Sequence, residues 1–531
     1  MKKYHKHNRR CFAGALVSIL FSTLFAVVLQ FFKGDVLDYA VSGEIAKTLR
    51  SAVLLIGFIL LEVISDYAYQ RFSARYAIGC ISELRRDIFD SILGRSYVDY
   101  KKRPQGDYIA KYMTEAEAIR DRRFRMLPMF WEILCKIILV SAALFLLDWR
   151  IAVITIGLLT TPLYVPKLID GKLQKAQSDY LRTMEENLTK VTDWLSGFEI
   201  IKNFAIEEKI RKQFRGINHD AMEKLLKDTR LGAVSQLVTT LISYLSYFVV
   251  LACAAWLVLR GDFSAGDFFV AIGMIDQLSY PLISLAAITQ QLIAIGPACA
   301  EMEGFLQEAG FEPASRTTKR LNANIQFSEV SFSYDGQRNI LDGFHLTIHR
   351  GKRYLLKGPS GCGKTTAINL LLGYYRPSKG SIQIDGISLE KTGNPYGLMT
   401  VVRQDAILFH DSLRNNLTMF SPVPERKILS VLRSVGLERL ATPQILDEVV
   451  TEGGANFSGG EKKRICLARA LLRDTDILIL DEPLANLDDA TAERIEDVLL
   501  SIRDKTIILV SHQFSRTELQ YFDQVVDFSV P

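Results

Sequence analysis

Along its first 300 residues the chain alternates between long apolar runs and charged stretches. Six runs are distinct, at residues 11–32, 51–68, 128–147, 151–168, 233–259 and 267–297. A helix that crosses a bilayer needs about 20 apolar residues, within a range of about 17–25. Each run meets that length, the fourth barely. A buried helix of a soluble protein would keep a polar stripe, so the six are read as membrane spans. Pro162 and Pro166 interrupt the fourth run and Pro281 the sixth, which predicts kinks there. Two segments between the runs, 69–127 and 169–232, are different in kind. Their charges are mixed and their apolar residues recur at helical spacing, as in Ile81, Leu84, Ile88 and Ile92. Each is expected to form two helical extensions joined by a turn, and about 25 residues of helix reach roughly 37 Å beyond the membrane.

The pattern changes after the sixth run. Glu308–Asn324 is polar and contains Pro313, as a linker does. From Ile325 onward short apolar runs alternate with helical patterns, the mark of an α/β domain. The expected organisation is a six-span transmembrane domain over residues 1–307, a linker over 308–324 and a soluble domain over 325–531. Composition agrees: hydrophobic residues make up 49% and charged residues 23% of 531 residues, and mean hydropathy is +0.13. Disordered and collagen-like chains are excluded. A net charge of +5 is too small a bias to argue for nucleic acid. The seven cysteines lie far apart, with no metal-ligand spacing and no disulfide framework; a reduced compartment fits.

The basic residues set the orientation. Residues 1–10 carry Lys2, Lys3, Lys6, Arg9 and Arg10 with no acid, and segment 69–127 holds thirteen Lys or Arg. The links 33–50, 148–150 and 260–266 are short and nearly balanced. By the positive-inside rule the N-terminus, both long segments and the C-terminal half are cytoplasmic. The first apolar run is too long for a signal peptide, and no small-residue cleavage site follows it.

Chemistry concentrates in the C-terminal half. The strand-like Leu355-Leu356-Lys357 is followed by Gly358-Pro359-Ser360-Gly361-Cys362-Gly363-Lys364-Thr365-Thr366 and then by a helical run. This is the G-x-x-x-x-G-K-[ST] phosphate loop: glycines let the backbone turn its N–H groups toward phosphate, and the helix start adds positive potential. Lys364 would reach the β/γ-phosphates and the Thr365 hydroxyl would ligate Mg²⁺. The apolar strand Ile477–Leu480 ends in Asp481 and Glu482. Asp481 can hold Mg²⁺ and Glu482 is the natural general base for attack on the γ-phosphate. Ser458, Gly459, Gly460 and Glu461 precede a helical run and offer a second phosphate-binding helix start, best explained by a partner subunit. Gln404 follows the strand Met399–Arg403 and could reach Mg²⁺ or the attacking water. His512 follows the strand Thr506–Val510 and could touch the γ-phosphate. Tyr334 could stack on adenine.

Taken together these motifs resemble those of the ATP-binding cassette (ABC) transporters, exporter type, over essentially the whole chain. Gly358–Thr366 resembles the Walker A loop and Ile477–Glu482 Walker B with its catalytic glutamate. Phe457–Glu461 resembles the LSGGQ signature, with Phe for Leu and Glu for Gln. Tyr334, Gln404 and His512 match the adenine-stacking aromatic, Q-loop glutamine and switch histidine, and Ala485–Asp488 the D-loop. The resemblance implies a multidomain membrane protein: a six-helix transmembrane domain with long cytoplasmic helical extensions, then an α/β P-loop ATPase domain. It also implies ATP and Mg²⁺ as cofactors, and two nucleotide domains closing head to tail on two ATP molecules. Tyr97–Gly106 and Ser196–Glu207 look like the coupling segments at the tips of the arms, and Glu452 like an acid that contacts them. Every expected catalytic position is intact, which permits a homodimer.

The expected activity is ATP-driven export of a drug, lipid or peptide-like substrate across a bacterial inner membrane. Import of a metal-chelate compound on the same fold, or an ATPase-gated regulator or channel, are the alternatives. Short outer loops leave no room for an external receptor domain, and no peptidase domain precedes the first span. Ionisable residues inside spans are costly and usually functional. Glu132 and Lys136, four residues apart, can pair with each other; Asp276 has no obvious local partner and would favour a cationic or polar substrate.

Overall fold

The first apolar run does not stop at the length a bilayer needs. It is part of a 33-residue helix, α2 (Arg9–Val41), preceded by the short α1 (Lys2–His7). The second run opens α3 (Ile45–Leu93), 49 residues and therefore ~74 Å of continuous helix. Span and arm are thus one element: the apolar front of α3 passes into a charged continuation without a break. The computed structural model describes residues 1–161, 165–308, 320–359, 361–392, 395–483, 489–510 and 518–528. It comprises two compact units, Met1–Leu93 with Pro104–Ala309, and Gly94–Arg103 with Gly310–Pro531. The second therefore includes ten residues of the first arm, among them α4 (Tyr97–Lys101).

In the first unit, Gln105–Phe124 alternates α-turns with two π-helical stretches, Lys111–Glu115 and Arg120–Phe124. Then come α5 (Met126–Leu147), α6 (Trp149–Leu159), α7 (Val165–Ser196), α8 (Phe198–Asn203), α9 (Glu207–Arg260, 54 residues), α10 (Ala265–Ala294) and α11 (Gly296–Gln307). Among the described residues five helical stretches are long and apolar enough to cross a membrane: Arg9–Val41, Ile45–Leu93, Gln105–Leu147, Glu207–Arg260 and Ala265–Gln307. The fourth expected run is carried by the shorter α6. Pro162 lies outside the described residues, and Pro166 falls in the first turn of α7, where a proline needs no hydrogen-bond donor. Pro281 sits inside α10, which continues past it to Ala294.

Short polar links are held by caps. Asp148 accepts from the backbone N–H groups of Arg150 and Ile151 at the start of α6. Ser264 and Asp267 form a reciprocal capping box on α10, and Asp38 at the end of α2 accepts from the Ser264 hydroxyl at 2.6 Å and the Gly266 N–H at 2.7 Å. Val140, Leu144, Ile151, Val250, Ala254, Met274 and Leu278 form the interior of the helical unit, whereas Val53, Ile56, Leu60, Val63 and Ile64 of α3 point outward. An apolar exterior over a helix of this length is a surface suited to lipid.

The second unit has an antiparallel sheet in the order β2-β1-β4-β5, from β1 (Asn324–Phe332), β2 (Leu341–His349), β4 (Lys379–Ile384) and β5 (Ile387–Ser388). Its parallel sheet runs β6-β7-β8-β3-β9, from β3 (Arg353–Lys357), β6 (Met399–Val402), β7 (Ile477–Asp481), β8 (Thr506–Val510) and β9 (Gln524–Asp527). Alternate residues of the central strands feed two cores. Leu355, Leu478, Leu480, Ile507 and Leu509 face one, and Tyr354, Leu356, Ile477, Ile479, Ile508 and Val510 the other. Burial on both faces explains why these strands read as unbroken apolar runs. The helices α12 (Lys364–Leu371) and α13 (Gly459–Leu472) carry the motif residues.

The α2–α10 contact is close because it is built on glycine. A Cβ on Gly34 would lie 2.5 Å from Val270 and 2.9 Å from the Gly266 carbonyl oxygen, while one on Gly57 would meet nothing within 4 Å. Gly34→Val should therefore force the two helices apart and destabilise the membrane unit by about 1–3 kcal/mol, seen as earlier thermal unfolding in detergent. Gly57→Val, the control, should leave the transition in place.

Candidate functional site

Strand register decides which residues meet. Leu356 of β3 pairs with Val510 of β8, Val510 with Asp481 of β7, and Leu480 with Val402 of β6. Four parallel strands therefore end at one edge. The phosphate loop leaves β3 there, Asp481 closes β7, Glu482 follows it, and Gln404 stands two residues beyond β6. Ligands of open α/β sheets bind outside this carboxyl edge.

The loop's shape depends on glycine. Gly358, Gly361 and Gly363 have φ of +146°, +83° and +108°, in the region where a Cβ is penalised. A Cβ on Gly363 would also lie 2.9 Å from Leu341. The loop leads straight into α12. Lys364 is 6% exposed, and its ammonium donates to the carbonyl oxygens of Gly358 at 2.7 Å and Pro359 at 2.8 Å. The cation thus lies folded into the curl of its own loop, where phosphate oxygens could take over as acceptors. Of the two hydroxyls that follow, Thr365 is exposed and Thr366 buried. Thr366 Oγ1 lies 3.3 Å from the Tyr334 hydroxyl, so the half-exposed Tyr334 ring is tethered to the start of α12. Cys362 borders the same loop, its sulfur 3.5 Å from the Lys364 ammonium. Ser360 and His512 lie outside the described residues, as does the 485–488 segment.

Asp481 is 9% exposed. Burial pushes its carboxyl above the ordinary carboxylate range and the Glu482 charge adds to this, while Arg403 and Lys364 pull the other way. An ionised carboxylate with one long ion pair, 3.9 Å to Arg403, is under-compensated, which is the condition for holding a cation. Thr365, exposed Gln404 and Asp481 supply the oxygen donors a magnesium ion takes. Glu482 has φ +52°, a left-handed backbone unusual for a residue with a side chain, and its N–H is fixed to the Val510 carbonyl at 2.9 Å. Strain of this kind collects at functional positions.

The helix start at Ser458, the second candidate phosphate-binding end, is a capping box. Ser458 Oγ accepts from the Glu461 N–H, and a Glu461 carboxylate oxygen accepts from the Ser458 N–H at 2.9 Å. The other oxygen accepts from Arg439 at 2.8 Å. The backbone N–H and Arg439 hold this carboxyl below the ordinary glutamate range. Gly459 and Gly460 form the first turn of α13.

Three neighbours were not singled out from sequence. Arg403 donates to Asn369 at 2.7 Å, lies 5.7 Å from the centre of the Tyr374 ring and faces Asp481. Tyr375 packs edge-on to Tyr334 at 5.1 Å, and Tyr374 stacks on Tyr97 of α4 at 3.9 Å. Tyr334 and the tip of the first arm thus belong to one aromatic cluster. The Tyr374-Tyr375 doublet after α12 was the available sequence signal.

Residues 11–282 match the model of the ABC transporter transmembrane region, and residues 341–485 match the model of the ABC transporter. The first match alone spans half the chain. The chain belongs to the ABC transporter family. It is 26% identical to YgaD of Bacillus subtilis, whose name marks it as a candidate multidrug export ATP-binding/permease protein, over 99% of this chain and 94% of that protein. It is 27% identical to the ATP-dependent lipid A-core flippase of Aromatoleum aromaticum, over 87% of this chain and 78% of that one. A bacterial Atm1-family ABC exporter solved with ATP bound shares the fold at a TM-score of 0.79 and 21% identity, over 98% of this chain and 93% of that chain. This ABC transporter binds and hydrolyses ATP to drive transport. It carries one membrane half and one nucleotide-binding half, so its working form is a dimer in a membrane.

The Asp481 environment has a measurable cost. A carboxyl whose pKa is raised on folding costs stability progressively as pH rises from its unfolded pKa through the raised value, and the cost disappears as pH falls back through that interval. Asp481→Asn should raise the nucleotide-free melting temperature of the nucleotide-binding half by about 2–4 °C at neutral pH, with the gap closing as the pH is lowered. The same variant should lose ATPase activity. Scanning fluorimetry across pH, paired with a phosphate-release assay, checks both.

Proposed function

We propose that this ABC transporter exports a drug, lipid or peptide-like substrate across a bacterial inner membrane, as a homodimer using ATP and Mg²⁺. The observation that carries the reading is the single sheet edge at which the phosphate loop, Asp481, Glu482 and Gln404 converge, in a unit that also holds the tip of a membrane arm. Because one chain contains both a phosphate loop and a capped Ser458–Gly460 helix start, two copies placed head to tail complete two sites. Each ATP then lies between the Lys364 loop of one copy and the Ser458 end of the other. Tyr334 stacks on adenine, Lys364 takes the terminal phosphates, and Glu482 draws the proton from the attacking water, with His512 beside the γ-phosphate. Mg²⁺, held by Thr365, Gln404 and Asp481, would neutralise phosphate charge. The basic N-terminus and arms support a cytoplasmic nucleotide-binding half, and the relatives are bacterial.

Two contacts transmit the closure. Tyr97 stacks on Tyr374, with Lys101 5.8 Å from the centre of the Tyr97 ring, and Gly94–Arg103 is continuous in the chain with α3. The second segment, 196–207, presents Phe198, Ile200 and Phe204 to solvent. A groove of about 820 Å³ in the nucleotide-binding half, lined among others by Arg403, Ile407, Met419, Lys427, Cys466 and Arg469, offers apolar and basic surface. We place the segment of one copy, which carries Glu199 among its apolar residues, in this groove of the other.

In inside-out vesicles the protein should accumulate its substrate when ATP is added, and Glu482→Gln should bind ATP yet cut hydrolysis and accumulation at least 100-fold. Accumulation in right-side-out vesicles instead would overturn the direction. Removing the stacked ring has a different signature. Tyr97→Ala should leave ATPase within about twofold while lowering transport several-fold, because the arm loses its grip and the chemistry does not; a parallel fall of both would exclude that role.

A further inference from the structure

Lys364 and Arg403 both stand at the sheet edge that carries Asp481, and they are placed differently. Lys364 is folded into its own loop, its ammonium donating to the carbonyl oxygens of Gly358 and Pro359. Arg403, the residue directly before Gln404, turns to Asp481 instead. One guanidinium nitrogen lies 3.9 Å from a carboxylate oxygen of Asp481. That separation is short enough for coulombic attraction and too long for a hydrogen bond. Among the described residues Asp481 has no other ion-pair partner within 4 Å. A carboxylate this deeply buried needs a cation, and in the absence of nucleotide Arg403 is the one that faces it.

Two further contacts hold Arg403 at that distance. Its other terminal nitrogen donates to Asn369 Oδ1 on α12 at 2.7 Å, and Asn369 is itself buried. The guanidinium carbon lies 5.7 Å from the centre of the Tyr374 ring, within the range of cation–π attraction, and that ring is stacked on Tyr97. A group that is always charged is thereby kept beside Asp481 without closing on it. An ion pair that served only to brace the fold would be closed, because a buried pair repays its desolvation only when its hydrogen bonds are made. Held open, Arg403 supplies charge and leaves the near carboxylate oxygen unclaimed by its own N–H groups. Gln404, the next residue, is exposed and carries an oxygen donor at the same edge.

We propose that Arg403 is a positioning residue that stands in for Mg²⁺ at Asp481 in the nucleotide-free protein and competes with the ion for that carboxylate. Two cations beside one carboxylate repel each other, so the guanidinium lowers the affinity of the site for metal. The acid then retains a metal ion only when phosphate oxygens add their charge to its own. The inference rests on the placement of Mg²⁺ at Thr365, Gln404 and Asp481 proposed above, and adds a residue that sets its affinity.

Isothermal titration of ADP into the full chain in lipid nanodiscs, once in Mg²⁺ and once in EDTA, separates metal from nucleotide. The ratio of the EDTA to the Mg²⁺ dissociation constant measures how strongly nucleotide and metal favour each other. Arg403→Met should raise that ratio by about three- to tenfold. Arg403→Lys, which keeps a cation and loses the planar fork, should stay within about twofold of the unsubstituted protein. If Arg403→Met does not fold, Asn369→Asp decides in its place: it leaves Arg403 where it is, gives it a carboxylate of its own, and should raise the ratio likewise. A residue that only touched phosphate would shift both constants together, and one that only braced the fold would be disabled by Lys as much as by Met. A ratio that Arg403→Met leaves unchanged or lowers, or that both arginine variants change equally, therefore overturns the proposal. Asp481→Asn tests the reading beneath it. A ratio that Asp481→Asn abolishes and Arg403→Met leaves intact keeps metal at Asp481 and sinks the stand-in, whereas a ratio near one in the unsubstituted protein sinks both.

Discussion

A parallel sheet buried on both faces has nowhere to do chemistry except its ends. In this transporter that constraint organises the whole nucleotide-binding half. The apolar side chains along β3, β7 and β8 are each committed to one of two cores, so reactive groups appear where the strands stop. Hydrogen-bond register then fixes which ones face each other: Asp481 lies opposite Val510, which lies opposite Leu356 at the mouth of the phosphate loop. A one-residue slip of β7 would exchange its two core faces and carry Asp481 away from the loop. Packing and catalytic geometry are therefore the same requirement here.

The sequence revealed those features whose physics is local. Apolar runs, a glycine loop between strand and helix, and an apolar strand ending in two acids need no knowledge of distant residues; among the described residues five of the six runs lie in helices long enough to span, and the fourth is carried by the eleven-residue α6. Less legible were features made by pairing across the chain. Tyr97 opens the expected coupling segment Tyr97–Gly106, but nothing in the sequence names Tyr374 as the ring it stacks on. Pro281, where a kink is expected, lies inside α10, which runs on to Ala294, because a proline removes only one helical hydrogen bond. The two π-helical stretches before α5 leave no mark in hydrophobic periodicity.

Long helices link the two halves of the energetics. In α3 and α9 the lipid-suited length and the solvated arm are a single rod, so bending at the membrane surface would break helical hydrogen bonds, and displacement of an arm tip is passed on as tilt. Rigid levers of this kind suit a device in which nucleotide state selects between two arrangements of a helical bundle. The glycine contact of α2 and α10 and the Asp38 anchor between the end of α2 and the start of α10 keep that pair together.

The Glu461 cap has a consequence of its own. A neutral amide at that position would leave the helix start purely electropositive, whereas here a carboxylate sits within the first turn of α13, balanced by an Arg439 side chain that is 71% exposed. Such a surface pair weakens as dissolved ions accumulate, the Debye length falling from about 10 Å at 0.1 M to about 3 Å at 1 M. The charge balance at the start of α13 is thereby tied to ionic strength, as it would not be with a neutral amide at that position.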